Sequence, residues 1–104
     1  MGFRYAFELS KTGPMVYVSH LDVMRLLARS ARRAGVPLAL TQGFSPHPRI
    51  CMKRAVKLGV AFAAEPGEMV LRSAMDPGDL GARFRRALPE GICVDNIVKI
   101  EQNL

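Results

Sequence analysis

Cysteines, acidic residues and long apolar runs are scarce in this sequence, and each shortage removes a class of protein. Two cysteines, Cys51 and Cys93, are too few and too widely spaced for a disulfide framework or a zinc knuckle. They fit a reduced, cytoplasmic setting. No apolar stretch approaches the roughly 20 residues needed to span a bilayer, and residues 1–5 lack the long apolar core of a secretory signal. The sequence has no glycine-rich phosphate loop, no paired cysteine ligands and no HExxH helix. It also lacks a spaced cysteine triplet for an iron–sulfur cluster. Two histidines, His20 and His47, cannot assemble a persuasive metal site, and the six methionines suit gaps in a core better than metal capture. Acids are outnumbered: nine Asp and Glu face fifteen Lys and Arg, a net charge of +6. That balance favours polyanionic partners, nucleic acid or an acidic protein surface. Simple solubility explains the bulk charge equally well, so placement has to decide.

What is present is enough for one domain. The chain has 104 residues, 49% hydrophobic and 23% charged, which suits a single globular unit with one core. Residues 3–10 alternate, with Phe3, Tyr5, Phe7 and Leu9 on one side of a half-buried strand. Residues 11–14 break it, and 15–18 resume an extended reading. Ser19 then caps a helix, with Asp22 three residues on as the acid of a capping box. Leu21, Met24, Leu27, Ala28 and Ala31 recur at helical spacing as its apolar stripe, and Gly35 and Pro37 end it. Residues 38–42 read as a short strand, 50–53 and 56–63 as extended with a bend or bulge at Gly59, 65–68 as a turn and 69–72 as a further strand. Asp76-Pro77-Gly78-Asp79 opens a second helix that turns Leu80, Phe84, Ala87 and Leu88 inward and Arg83 and Arg86 outward. A last strand carries Ile92, Val94, Val98 and Ile100, with an irregularity at Asp95-Asn96. Strand, helix, strands, helix, strand is the order of an α+β, ferredoxin-like split βαβ sandwich. Two helices would cover one face of an antiparallel sheet and leave the other open.

Three constellations are candidate sites. In Gln42-Gly43-Phe44-Ser45-Pro46-His47-Pro48-Arg49, two prolines stiffen the chain beneath an aromatic, a histidine and an arginine. A rigid loop accounts for the prolines and the glycine; Phe44 could stack on a base, Arg49 pair with phosphate and His47 donate, accept or titrate. The Ser19-His20-Leu21-Asp22 turn reads first as a helix cap and second as an anion site at a helix N-terminus. On the first helix Arg25, Arg29, Arg32 and Arg33 fall at i, i+4, i+7 and i+8 and share one sector, a solvated face or a phosphate-positioning one. Lys53, Arg54 and Lys57 add a second basic patch. If the second strand brings the proline-rich loop beside the first turn of the helix, His20 and His47 share a pocket and could act as acid and base on RNA.

The run SKTGPMVYVSHLDVMRLLARSARRAGVPLALTQGFSPHPRI resembles the start of the radical-SAM-associated domain family. That family pairs an SHLD turn, an RR-AG helix end and a QGF-[NS]-PHP loop, which stand here as Ser19 to Asp22, Arg32 to Gly35 and Gln42 to Pro48. Residues 51–59 depart from the pattern, being unusually basic where family members carry small residues, Pro and Gly. Family domains run to nearly twice this length, so the resemblance implies that residues 1–104 form a single domain equivalent to the N-terminal half. It implies a radical-SAM protein, fused or neighbouring, as partner. The iron–sulfur cluster and S-adenosylmethionine would belong to that partner, with no cofactor on this chain and no catalytic activity of its own. The expected function is an accessory domain binding RNA or another anionic substrate. Ser19, His20, Asp22, Gln42, Phe44, His47 and Arg49 would form the ligand site. A docking module for the radical-SAM partner and a histidine-based RNA-processing enzyme are the alternatives.

Overall fold

A computed structural model describes residues 2–55 and 57–100. Strand β1 (Phe3–Lys11) leads through a 3-10 helix (Gly13–Tyr17) into helix α1 (His20–Arg33). Strands β2 (Ile50–Met52) and β3 (Phe62–Leu71), helix α2 (Pro77–Ala87) and strand β4 (Ile92–Ile100) follow. The sheet order is β2-β3-β1-β4 and every neighbouring pair is antiparallel. This is the ferredoxin-like arrangement the sequence order implied: each helix connects two strands that are separated by a third.

The alternation in β1 sets the core. Tyr5, Phe7 and Leu9 point to the helix side and are buried, against Met69 and Leu71 of β3 and Ile92 and Val94 of β4. Val23, Leu27 and Ala31 of α1 and Leu80 and Phe84 of α2 close over them. Each such side chain contributes roughly 1.5–3 kcal/mol by leaving water. The Tyr5 hydroxyl would be a buried liability, but it donates to the Met75 carbonyl at 2.8 Å and accepts from the Met75 amide at 2.9 Å. Gly67 sits where Phe7 crosses β3: a Cβ there would lie 2.5 Å from the ring, so only glycine lets the aromatic pack flat on the sheet.

Several local readings need correction. Residues 15–18 are not a strand, because Gly13 (φ 61°) and Pro14 turn the chain into the 3-10 helix. Residues 65–68 are not a turn, because β3 runs through them with Glu8 opposite Pro66. The Pro66 carbonyl accepts from the Lys53 amide at 3.0 Å, so the missing proline N–H faces the same side, where β2 has already ended at Met52. Residues 57–61 are loop rather than strand, and Val56 lies outside the described residues. Residues 38–42 form only isolated bridges, Leu38 to Leu71 and Leu40 to Pro48. The apolar stripe of α1 is rotated: Leu21 is 57% exposed, and Val23 and Ser30 take the inner face with Leu27 and Ala31. Arg83 is half-buried, not outward; it donates to the Ala34 carbonyl at 2.8 Å and so caps α1 from α2. The irregularity at Asp95-Asn96 is a bulge, with Asn96 at φ 51° and the β1–β4 register shifting beside it.

Candidate nucleic-acid interface

Helix α1 is stopped by a Schellman motif. Gly35 takes φ 75°, its amide donates to the Arg32 carbonyl at 3.2 Å, and the Val36 amide donates to the Ala31 carbonyl at 2.8 Å. The turn sends the chain back along the end of β3. The Arg72 amide donates to the Pro37 carbonyl and the Ala39 amide to the Val70 carbonyl, both at 2.8 Å. After the proline-rich tip the chain returns: the Arg49 amide donates to the Ala39 carbonyl at 2.8 Å, and the Val70 amide to the Arg49 carbonyl at 2.9 Å. Residues 38–50 are thus a tongue fastened to the last residues of β3.

The tip is closed by Thr41 and His47. The Thr41 amide donates to the His47 carbonyl at 2.8 Å, and the His47 amide donates to Thr41 Oγ1 at 2.9 Å. Pro46 and Pro48 have no N–H to offer, so His47 supplies the one amide of this Pro-His-Pro run and spends it on the closure. Gln42, Phe44 and the His47 side chain all project into solvent, Phe44 completely. An aromatic held out on so stiff a support buries nothing of its own.

Arginines converge at this end of the sheet. Arg32 from α1 and Arg72 from the residue after β3 frame a cleft of about 370 Å³ walled by Val36, Leu38, Leu40 and Pro48. Thr41, Gln42 and Arg49 line a neighbouring hollow with Ala39. Among the described residues, Arg29, Arg32, Arg33, Arg49 and Arg72 have no ion pair, whereas the carboxylates nearby in sequence are engaged elsewhere. Asp22 holds Arg25 at 3.6 Å, Asp79 holds Arg83 at 3.1 Å, and Glu68 takes both Arg4 and Lys53. The hydrogen bond from Lys53, and then that from Arg4, holds the Glu68 carboxyl below its ordinary pKa. Arg72 and Leu40 were not legible as site residues, because only the pairing of the tongue to β3 brings them beside Arg32.

The SHLD turn is not part of this assembly. Lys11, at the far end of β1, is paired with Phe62 and Ile92, while Phe3 is paired with Leu71 beside the tongue. Eight residue steps of strand separate those ends, roughly 26 Å, and α1 runs about 20 Å from one to the other. His20 and His47 therefore share no pocket, and the acid–base pair expected of them is not formed. Ser19 acts as the helix cap, its Oγ accepting from the Asp22 amide at 3.2 Å. The Asp22 carboxylate turns to Arg25 instead of completing a capping box. Beside them Lys11 is fully buried and donates to the Val18 and Lys57 carbonyls; burial pushes its pKa down. The second basic patch is largely neutralised, with Lys53 on Glu68 and Arg54 on Glu65 at 3.3 Å.

The open face of the sheet carries no stacking platform. Its β1 residues are Arg4, Ala6, Glu8 and Ser10, opposite Glu68 and Val70 of β3, because the aromatics of β1 are all turned inward or to the edge. Cys51 and Cys93 are free and lie on the two outermost strands, three strand spacings apart and offset by four residues along the sheet, roughly 19 Å in all. No group of three or more His, Cys, Asp or Glu among the described residues could hold a metal ion. Among the described residues, no helix is long and apolar enough to cross a membrane.

A family model matches residues 4–104, across the SHLD turn, the helix end and the tongue. The chain belongs to the DUF2344 family. Its description is an uncharacterised protein conserved in bacteria. No curated protein and no solved structure matches the chain. Within this DUF2344 domain the helix-end and proline-loop motifs meet, and the SHLD motif stands apart.

Proposed function

We propose that this protein is an accessory domain that binds RNA for a radical-SAM partner, and that it does so with the tongue end of the sheet. The observation that carries the reading is the grouping of Arg32 and Arg72 on one cleft and Arg49 on the adjoining hollow, without ion-pair partners among the described residues, on the same tongue that holds out the fully exposed Phe44. Arginine forks suit phosphate oxygens, and an aromatic ring on a rigid loop suits a base. Gln42 and His47 add hydrogen-bonding groups at the same tip. The radical-SAM partner rests on the resemblance of the three motifs; the partner would supply the cluster and S-adenosylmethionine, and this chain the grip on the substrate.

Titration of labelled RNA at several salt concentrations tests the reading. Three phosphate contacts make the affinity fall by about 2 log units per decade of salt on single strands. Absence of binding at low salt ends it.

A second reading has one observation in its favour. Val98 is 60% exposed on the uncovered sheet face, next to Ala6, a surface for docking on the radical-SAM subunit. Co-purification lost on Val98→Asp but kept on Phe44→Ala would support docking through that face.

A further inference from the structure

We infer that the cleft between Arg32 and Arg72 receives an unpaired nucleotide, so that the RNA this domain recognises is single-stranded, a loop or an end, and not duplex. The inference rests on the RNA-binding reading above and narrows it to a substrate class. The cleft has two chemically distinct parts. Its rim is cationic: Arg32 comes from the last turn of α1 and Arg72 from the residue after β3. Its walls are apolar: Val36, Leu38, Leu40 and Pro48. Leu40 is 56% exposed there although it is large and hydrophobic. A phosphate alone would use the rim and leave the walls in water. A nucleotide uses both, the base lying on the aliphatic and proline surface while its phosphate meets the two guanidinium groups.

The volume, about 370 Å³, is within the range of small-ligand sites. The walls are also set in place before binding. The Arg72 amide is tied to Pro37, the Leu38 amide to Val36 at 2.9 Å, and Leu40 is bridged to Pro48. Duplex RNA cannot make this contact, because its base faces are stacked inside the helix and only phosphates and groove edges reach a protein surface. The rest of the molecule points the same way. The open sheet face has no aromatic on which successive bases could stack, and the exposed Tyr17 stands at the opposite end, after β1, so at the arginine-rich end stacking falls to Phe44 at the tip and the cleft behind it. Charge complementarity favours a phosphate-bearing occupant: among the described residues Glu68 and Asp79 are held by other cations, Asp76 caps its own helix by accepting from the Asp79 amide at 3.2 Å, and no ion pair neutralises Arg32 or Arg72.

The test compares two labelled RNAs carrying the same number of phosphates, an unstructured single strand and a blunt hairpin duplex, by fluorescence anisotropy at one salt concentration. The single strand is expected to bind at least about fivefold more tightly, the low end of what one stacked base contributes. Leu40→Ala should weaken the single strand and leave the duplex nearly unchanged, whereas Arg72→Ala, which removes a phosphate contact open to either RNA, should weaken both and the single strand more. Both residues are exposed, and an unaltered melting temperature confirms that each variant folds; Arg72→Lys should restore part of the loss. Equal affinity for the two RNAs, or equal losses on both in the variants, overturns the inference while leaving RNA binding intact. Competition by polyglutamate as effective as that by the single strand overturns it in favour of an acidic protein ligand. Failure of either RNA to bind removes the underlying reading and this one together.

Discussion

The two ends of the sheet carry the two histidine-bearing motifs of the sequence, and the fold treats them in opposite ways. At one end, Ser19 is spent on a helix cap, Asp22 on Arg25, and Lys11 on two backbone carbonyls. At the other, Gln42, Phe44, His47, Arg49 and Arg72 stand in solvent on a backbone fixed by Thr41, His47 and β3. Polar side chains at the first end satisfy the protein itself. Those at the second hold a cationic, partly apolar surface in place without satisfying anything of their own. A motif with its hydrogen bonds turned inward explains stability; one with a rigid backbone and unpaired heads is where a ligand is needed.

Substitution at each end separates the two roles. Phe44→Ala is the largest expected effect: RNA affinity falls by about 1–3 kcal/mol, the contribution of a stacked base, and the melting temperature stays put because the ring packs on nothing. A drop in melting temperature with affinity unchanged would reverse the comparison. Ser19→Ala should cost about 1 kcal/mol of stability through the lost cap, measured by chemical denaturation, with RNA affinity retained. The smallest effect sharpens the border between the ends, where Glu68 ties β3 to Arg4 and Lys53. Its folded-state pKa is depressed below the ordinary 4.5, so the unfolded chain binds the proton first as pH falls. The stabilisation is complete above about pH 4.5 and is lost as pH drops through the folded value. Glu68→Gln should flatten that acid limb of the stability profile and leave stability near pH 7 only modestly reduced.

Much of the architecture was legible because it rests on local rules. The alternation of Phe3 to Leu9, the Ser19 cap and the Asp76-Pro77 start gave β1 and both helices their places. The bulge at Asp95-Asn96 was also visible. What misled was local chemistry overruled by pairing. Pro66-Gly67 reads as a turn, yet Pro66 needs no donor where β2 has ended and Gly67 makes room for Phe7. Leu21 belongs to the helical stripe by spacing, yet the sheet lies under Val23. The site was half legible for the same reason. The tongue residues announce themselves through two prolines and an unused aromatic, whereas Arg72 is one arginine among many until its amide is seen on Pro37. The proximity of His20 to His47 depends on topology and not on local pattern, and α1 carries the two to opposite ends of the sheet.

The most direct test of the account is amide chemical-shift mapping of the protein titrated with single-stranded RNA. Perturbations gathered on residues 28–49 and 70–73, with residues 11–23 and 57–62 silent, are the expected result. Perturbations centred on residues 16–23, or spread over the open sheet face with the tongue unaffected, would contradict it.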